Sequence, residues 1–227
     1  MTNYTDAKLI AELSEDLGEA MVGINQVKLP SSWKREVNRM KIGVLAVQGA
    51  FIEHRKMLES LGAECVEIRQ KADLEGIQGI VLPGGESTVQ GKHSTMLDNV
   101  RGKFRPVIRE GLPVLATCAG MILLAQTLYN DPVTHLATLP VTVRRNAYGR
   151  QLGSFITDQP VKGIGKFPMV FIRAPYIESV DDSDVEVLAT VDDHIVAVRY
   201  GNQLGLSFHP EMTEDTRIHE YFLKMIQ

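Results

Sequence analysis

Cysteine is scarce in this chain: two of 227 residues, Cys65 and Cys118. Two thiols cannot build the disulfide framework of a small secreted domain. A reducing cytoplasm is therefore the expected compartment, and each thiol needs its own explanation. Long apolar runs are missing too. No stretch approaches the ~20 residues that a membrane-spanning helix needs. The opening Met1-Thr-Asn-Tyr-Thr-Asp has neither the basic region nor the apolar core of a signal peptide. Nor does charge of one sign dominate: 24 basic against 28 acidic side chains leave a formal charge of −4. That balance offers no electrostatic footprint for nucleic acid or for an anionic membrane. Metal-ligand spacings such as His-x-x-x-His or paired Cys-x-x-Cys do not occur, so no metal or organic cofactor is expected on this chain. What is present is ordinary for a globular protein, with 44% hydrophobic and 23% charged residues.

The chain divides near Met40. Residues 1–39 are polar and charged, with one helical stretch from Asp6 to Ala20 in which Leu9, Ile10, Leu13 and Leu17 recur at intervals of three and four. They lack the apolar residues for a core of their own. From Lys41 the pattern alternates strand and helix. Ile42-Gly-Val-Leu-Ala-Val, Cys65-Val-Glu-Ile, Gly79-Ile-Val-Leu-Pro and Pro113-Val-Leu-Ala-Thr read as buried strands. Helices are expected over Phe51–Ser60, Ala119–Leu128 and Thr216–Ile226. Between Val141 and Phe208 the strands are closely spaced with few helices, which predicts antiparallel additions to the sheet. The sum is an α/β layered domain over residues 40–227 with a mostly parallel central sheet.

Three segments carry chemistry. In Leu115-Ala-Thr-Cys-Ala-Gly-Met a strand runs into a helix with Cys118 at the corner. This is a nucleophile-elbow pattern, which needs small neighbours so that strand and helix pack closely; Ala116, Ala119 and Gly120 supply them. The helix N-terminus favours the thiolate, and the Ala119 N–H faces a developing oxyanion. In Ser207-Phe-His-Pro-Glu a strand ends at His209. Extended geometry would put Glu211 on the same face, where it can hold the imidazole in one tautomer. In Leu82-Pro-Gly-Gly-Glu-Ser-Thr, Gly84 and Gly85 expose backbone amides suited to an oxyanion or a carboxylate. Each segment alone has a structural reading: a buried thiol, a strand-end histidine, a capped turn. Their common position at the C-terminal ends of strands, where open α/β sheets place their sites, favours a joint one. His54, His93, His135, His194 and His219 lack such a setting and are expected at the surface, and Cys65 is expected as a strand-core thiol.

From Met40 onward the sequence resembles the glutaminase subunit of pyridoxal 5′-phosphate synthase, a class I, triad-type glutamine amidotransferase. Thr117-Cys-Ala-Gly and Phe208-His-Pro-Glu are shared by many such glutaminases. Leu82-Pro-Gly-Gly-Glu-Ser-Thr, Arg145-Asn-Ala-Tyr-Gly-Arg-Gln and Phe171-Ile-Arg-Ala-Pro single out the vitamin B6 branch. One departure is Ala116, where the elbow usually carries glycine. The resemblance implies a three-layer, flavodoxin-like fold and a catalytic Cys118–His209–Glu211 set. It implies glutamine contacts from Gly85, Glu86, Ser87, Arg145, Ile172 and Arg173. It also implies that the substrate is L-glutamine and that the partner is the synthase subunit, in a large hetero-oligomer where docking raises a weak basal activity. The ammonia would pass to the synthase, which joins it to a pentose phosphate and a triose phosphate. Residues 1–39 resemble the C-terminal tail of that synthase subunit, so Met40 is expected to mark the ancestral start of the glutaminase, preceded by a partly helical or disordered extension.

On residues alone three other readings stay open: a glutaminase serving nucleotide, histidine or anthranilate synthesis, a cysteine peptidase with an elbow thiol, and an inactive regulatory subunit. The last commonly loses the nucleophile or the base, and both are present here.

Overall fold

The structure is a computed structural model that describes residues 40–46, 49–85, 102, 104–145 and 154–226. The helix expected over Asp6–Ala20, with the rest of the extension, lies outside the described residues, as do Glu86, Ser87 and His93.

Five parallel strands form the centre, in the order β2 (Glu64–Ile68), β1 (Lys41–Leu45), β3 (Gly79–Leu82), β4 (Val114–Thr117) and β12 (Gln203–Leu206). Every residue of β3, β4 and β12 is buried, which is why these segments read as continuous apolar runs. Their side chains alternate between two cores. Ile80, Leu82, Val114 and Ala116 join Met121–Leu124, Phe104 and Ile108 on one face. Val81, Leu115, Leu204 and Leu206 join Leu58, Phe208, Ile218 and Phe222 on the other. The first face is covered by α2 (Ala119–Leu124) and a helical stretch at 104–109; the second by α1 (Phe51–Ser60) and α3 (Arg217–Lys224). Helix, sheet and helix make three layers.

The antiparallel additions are present. β11 (His194–Tyr200), β9 (Tyr176–Val180) and β6 (Leu139–Arg144) extend the sheet beyond β12, and β10 (Glu186–Val191) pairs with β11. One of the strands expected between Val141 and Phe208 takes a different place. It is β8 (Gly165–Ile172), and with β7 (Ser154–Val161) it forms a separate two-stranded sheet. The helix after Cys118 is shorter than its apolar pattern predicts. It stops at Leu124, and Ala125–Leu128 is strand β5, paired with β6. The amides of Leu136 and Thr138 take up the Leu123 and Leu124 carbonyls at 2.8 and 2.9 Å, so a neighbouring segment satisfies the helix end and the chain turns into the sheet. Among the described residues no helix is long and apolar enough to cross a membrane.

Candidate active site

Strands β3, β4 and β12 are neighbours in one register: Leu82 lies opposite Ala116, Ala116 opposite Gly205, and Thr117 opposite Leu206. The chain segments leaving them emerge at one sheet edge. They carry Gly84-Gly85, Cys118 and His209.

Cys118 sits between β4 and α2 with φ 47° and ψ −106°, a backbone conformation that costs a non-glycine residue of order 1–3 kcal/mol. Bonds on both sides hold it there. Its N–H donates to Leu206 O at 2.8 Å, and its carbonyl accepts from Met121 and Ile122 at 3.1 and 3.3 Å. The turn closes only because residue 120 is glycine, since a Cβ there would lie 1.9 Å from Leu82 O. Ala116 is fully buried beneath the elbow. Ala119 opens the helix, and its N–H has no preceding turn to donate to.

His209 is anchored by its N–H, which donates to Val170 O of β8 at 2.8 Å. The extended geometry expected for His-Pro-Glu is replaced by a short 3-10 turn over Pro210–Met212, because proline's fixed φ suits the first position of a helical turn. The turn brings the Glu211 carboxylate back onto its neighbour: His209 Nδ1 lies 2.7 Å from Glu211 Oε1. Burial alone would lower the His209 pKa. The charges on Glu211 and Cys118, with hydrogen bonds to both, outweigh burial and hold it well above the ordinary histidine value. With Nδ1 given to Glu211, Nε2 is the nitrogen left for Cys118. Glu211 is fully enclosed too. Burial would raise its pKa, but the charges on His54 and His209 and hydrogen bonds to both keep the carboxyl far below the usual range.

Gly84 packs directly on His209: a Cβ there would lie 2.2 Å from His209 Cε1. Its N–H donates to Thr117 Oγ1 at 3.0 Å, so in this structure the expected oxyanion donor is already engaged. Gly85 is exposed with φ 147°, a value that favours glycine. Of the expected glutamine contacts, Arg145, Ile172 and Arg173 are described. Ser207 N–H bonds Val196 O, Ile195 pairs with Ile177, and Ile177 and Tyr176 pair with Val143 and Arg144. This relay brings the end of β6, and Arg145 after it, to the level where β12 ends. Arg145 Nη1 is 3.4 Å from Asp131. Arg173 is exposed with φ 44°, a second strained non-glycine residue beside the site.

Two histidines expected at the surface are fully buried behind the Glu211 carboxylate. His54 Nε2 lies 3.1 Å from Thr117 Oγ1 and 3.2 Å from Glu211 Oε2, and its Nδ1 lies 2.9 Å from His219 Nε2. The sequence did carry a signal for them. His54 precedes Leu58 by four residues, and His219 lies next to Ile218 and three before Phe222, so both occupy the inward stripe of their helices. Cys65, on β2, is half-buried against the core and not within it; burial, with Glu59 adding, pushes its pKa up to about 12. Among the described residues no group of three or more His, Cys, Asp or Glu side chains is arranged to hold a metal ion.

An elbow cysteine and a carboxylate-held histidine, brought to the carboxyl edge of a parallel sheet, give the molecule the layout of a three-layer α/β protein with a candidate thiol site. The chain belongs to the SNO glutamine amidotransferase family, whose model matches residues 44–227. It is 60% identical over 188 residues to the pyridoxal 5′-phosphate synthase subunit PdxT of Desulfitobacterium hafniense, covering 82% of this chain and 94% of that protein. To the subunit of the same name from Streptococcus pneumoniae it is 52% identical over 191 residues, covering 82% and 97%. A solved glutamine amidotransferase superposes with a TM-score of 0.74 at 45% identity, covering 82% of this chain and 98% of that one. The enzyme is a glutaminase.

Proposed function

We propose that Cys118, His209 and Glu211 are the nucleophile, the proton carrier and its orienter in the hydrolysis of L-glutamine to L-glutamate and ammonia. The observation that carries this reading is the His209 imidazole, held by Glu211 at 2.7 Å on one nitrogen, with Glu211 and Cys118 together raising its pKa. The Cys118 thiolate attacks the side-chain amide carbon, and the carbonyl oxygen becomes an oxyanion facing the amides of Ala119 and Gly85. The protonated His209 gives its proton to the amide nitrogen, the C–N bond breaks, and ammonia leaves a glutamyl thioester. Water then attacks the thioester while His209 takes its proton, and collapse of the second tetrahedral adduct releases glutamate and the thiolate. Arg145 and Arg173 suit the substrate α-carboxylate through their guanidinium forks, and Gly85, Glu86, Ser87 and Ile172 complete the glutamine contacts.

The ammonia goes to pyridoxal 5′-phosphate (vitamin B6) synthesis from a pentose phosphate and a triose phosphate, carried out by a synthase subunit in a large hetero-oligomer in the cytoplasm. Support comes from the family and from the relatives' shared subunit name. Pyridoxal phosphate is then a product of the assembly. Gly84, whose amide is bonded to Thr117 here, joins the oxyanion hole if synthase docking rearranges the glycine loop. The decisive assay is glutamate release with purified synthase subunit, for the native chain and for Cys118→Ala. Turnover should fall by about 10⁴-fold or more in the variant; unchanged activity would remove the proposal. Pull-down of the synthase subunit tests the partner.

A further inference from the structure

Behind the Glu211 carboxylate lies a buried chain of polar groups that the hydrolytic steps leave unused: His219, His54 and Thr117, all fully buried. Such groups are costly to enclose unless they hold one another in place. His54 is the junction. Its Nδ1 meets His219 Nε2, while its Nε2 faces two acceptors, Thr117 Oγ1 and Glu211 Oε2. A carboxylate can only accept, so the 3.2 Å contact with Glu211 Oε2 is favourable when Nε2 carries the proton. Thr117 Oγ1 in turn accepts the Gly84 N–H, and Glu211 Oε1 holds His209. One imidazole therefore touches both the carboxylate that orients the base and the hydroxyl that fixes the glycine loop. Those two features come from β12 and β3, with Thr117 of β4 between them, and nothing else described links all three at this depth. Burial and the charge on His54 bring the His219 pKa down to about 3, so His219 is an uncharged prop beneath His54.

We propose that His54 is a positioning residue for glutamine hydrolysis, setting the Glu211 carboxylate and, through Thr117, the Gly84 amide from a single ring. The inference rests on the function proposed above and extends it to a residue outside the reacting set.

Its test separates the two sides of the ring in the full chain with its synthase subunit. His54→Gln keeps an N–H donor at the Nε2 side; His54→Asn keeps only the side toward His219. His54→Asn should lose about tenfold or more in kcat, the scale of a hydrogen bond to a charged group, with KM within twofold and a thermal midpoint matching that of His54→Gln. His54→Gln should stay within threefold of the native rate. Thr117→Val removes the other half of the linkage, and the double variant His54→Asn/Thr117→Val should lose no more than the larger single loss. Equal losses in the Gln and Asn variants, native turnover in the Asn variant, or losses that multiply in the double variant would each overturn the role of His54. A native chain that releases no glutamate, or Cys118→Ala with native turnover, would instead overturn the function on which it rests.

Discussion

His219 and His209 show how single side chains tie stability to pH in opposite senses. The folded His219 stays uncharged down to about pH 3, against 6.5 for an ordinary histidine. Between those values the unfolded chain binds a proton that the folded chain does not, so His219 lowers stability as pH falls below 6.5. His209 has a raised folded pKa. Its contribution is complete below about 6.5 and is lost as pH rises through the folded value. Glu211, with its depressed pKa, contributes above the ordinary carboxylate range and loses that contribution only as pH falls through its folded value. Urea unfolding at pH 6.5 and pH 4.5 checks the first of these. The acid loss should be smaller in His219→Gln than in the native chain by on the order of 1–2 kcal/mol; an equal loss would show that His219 does not titrate as described. Cys118 and His209 were legible as a pair because their residue types and strand-end positions are local facts. The burial of His54 follows from its helical stripe, but its partner does not, because nothing in the helix's own sequence names a carboxylate that arrives from a turn 157 positions away.

At the scale of elements, the site depends on two close backbone approaches. Gly120 lets α2 lie against the end of β3, and Gly84 lets the loop after β3 lie against His209. Gly120→Ala places its Cβ against the Leu82 carbonyl, a backbone atom with no freedom to swing away. The elbow should open at a cost of about 1–3 kcal/mol or more, seen as a lowered thermal midpoint together with lost turnover. Gly84→Ala meets the His209 ring, a side chain and not backbone. Its expected signature is a kcat loss of about hundredfold, since an ångström of misplacement at a reacting centre costs that much, with the thermal midpoint within a few degrees of native. A Gly84→Ala variant with native kcat would show that the loop does not need to touch His209. The elements themselves were mostly foreseen: α1 has the expected bounds, and the four parallel strands before the elbow lie where apolar runs predict. The misreading of Ala125–Leu128 as helix has a physical cause. A segment of four residues takes its conformation from the partner that saturates its backbone, and that partner, β6, begins at Leu139, 14 positions after Ala125.

For the whole molecule, the core of the described domain is already under way at the start of β1. Met40 is buried at the base of β1 among residues of the same core, and the family match starts at residue 44. Removing residues 1–39 should therefore leave the thermal midpoint within a few degrees and glutamate release with the synthase subunit within twofold. A loss beyond that would make the extension part of the working enzyme. The cross-sheet relay from β12 through β11 and β9 to β6 is also a property of the whole. It places Arg145 at the same edge as His209 although β6 lies far along the sheet.

The Cys118 elbow, the His209-x-Glu211 pair and the parallel α/β core were determined by the sequence itself. Each rests on contacts between near neighbours or on an apolar run that only a doubly covered strand can bury. Tertiary structure alone decided the rest: the 3-10 turn that swings Glu211 onto His209, the Gly84 amide held by Thr117, and the two histidines tilted against each other behind the carboxylate. These depend on which distant backbone and side-chain groups end up unsatisfied at the same buried point. That is settled when β3, β4, β12 and the two covering helices close around it.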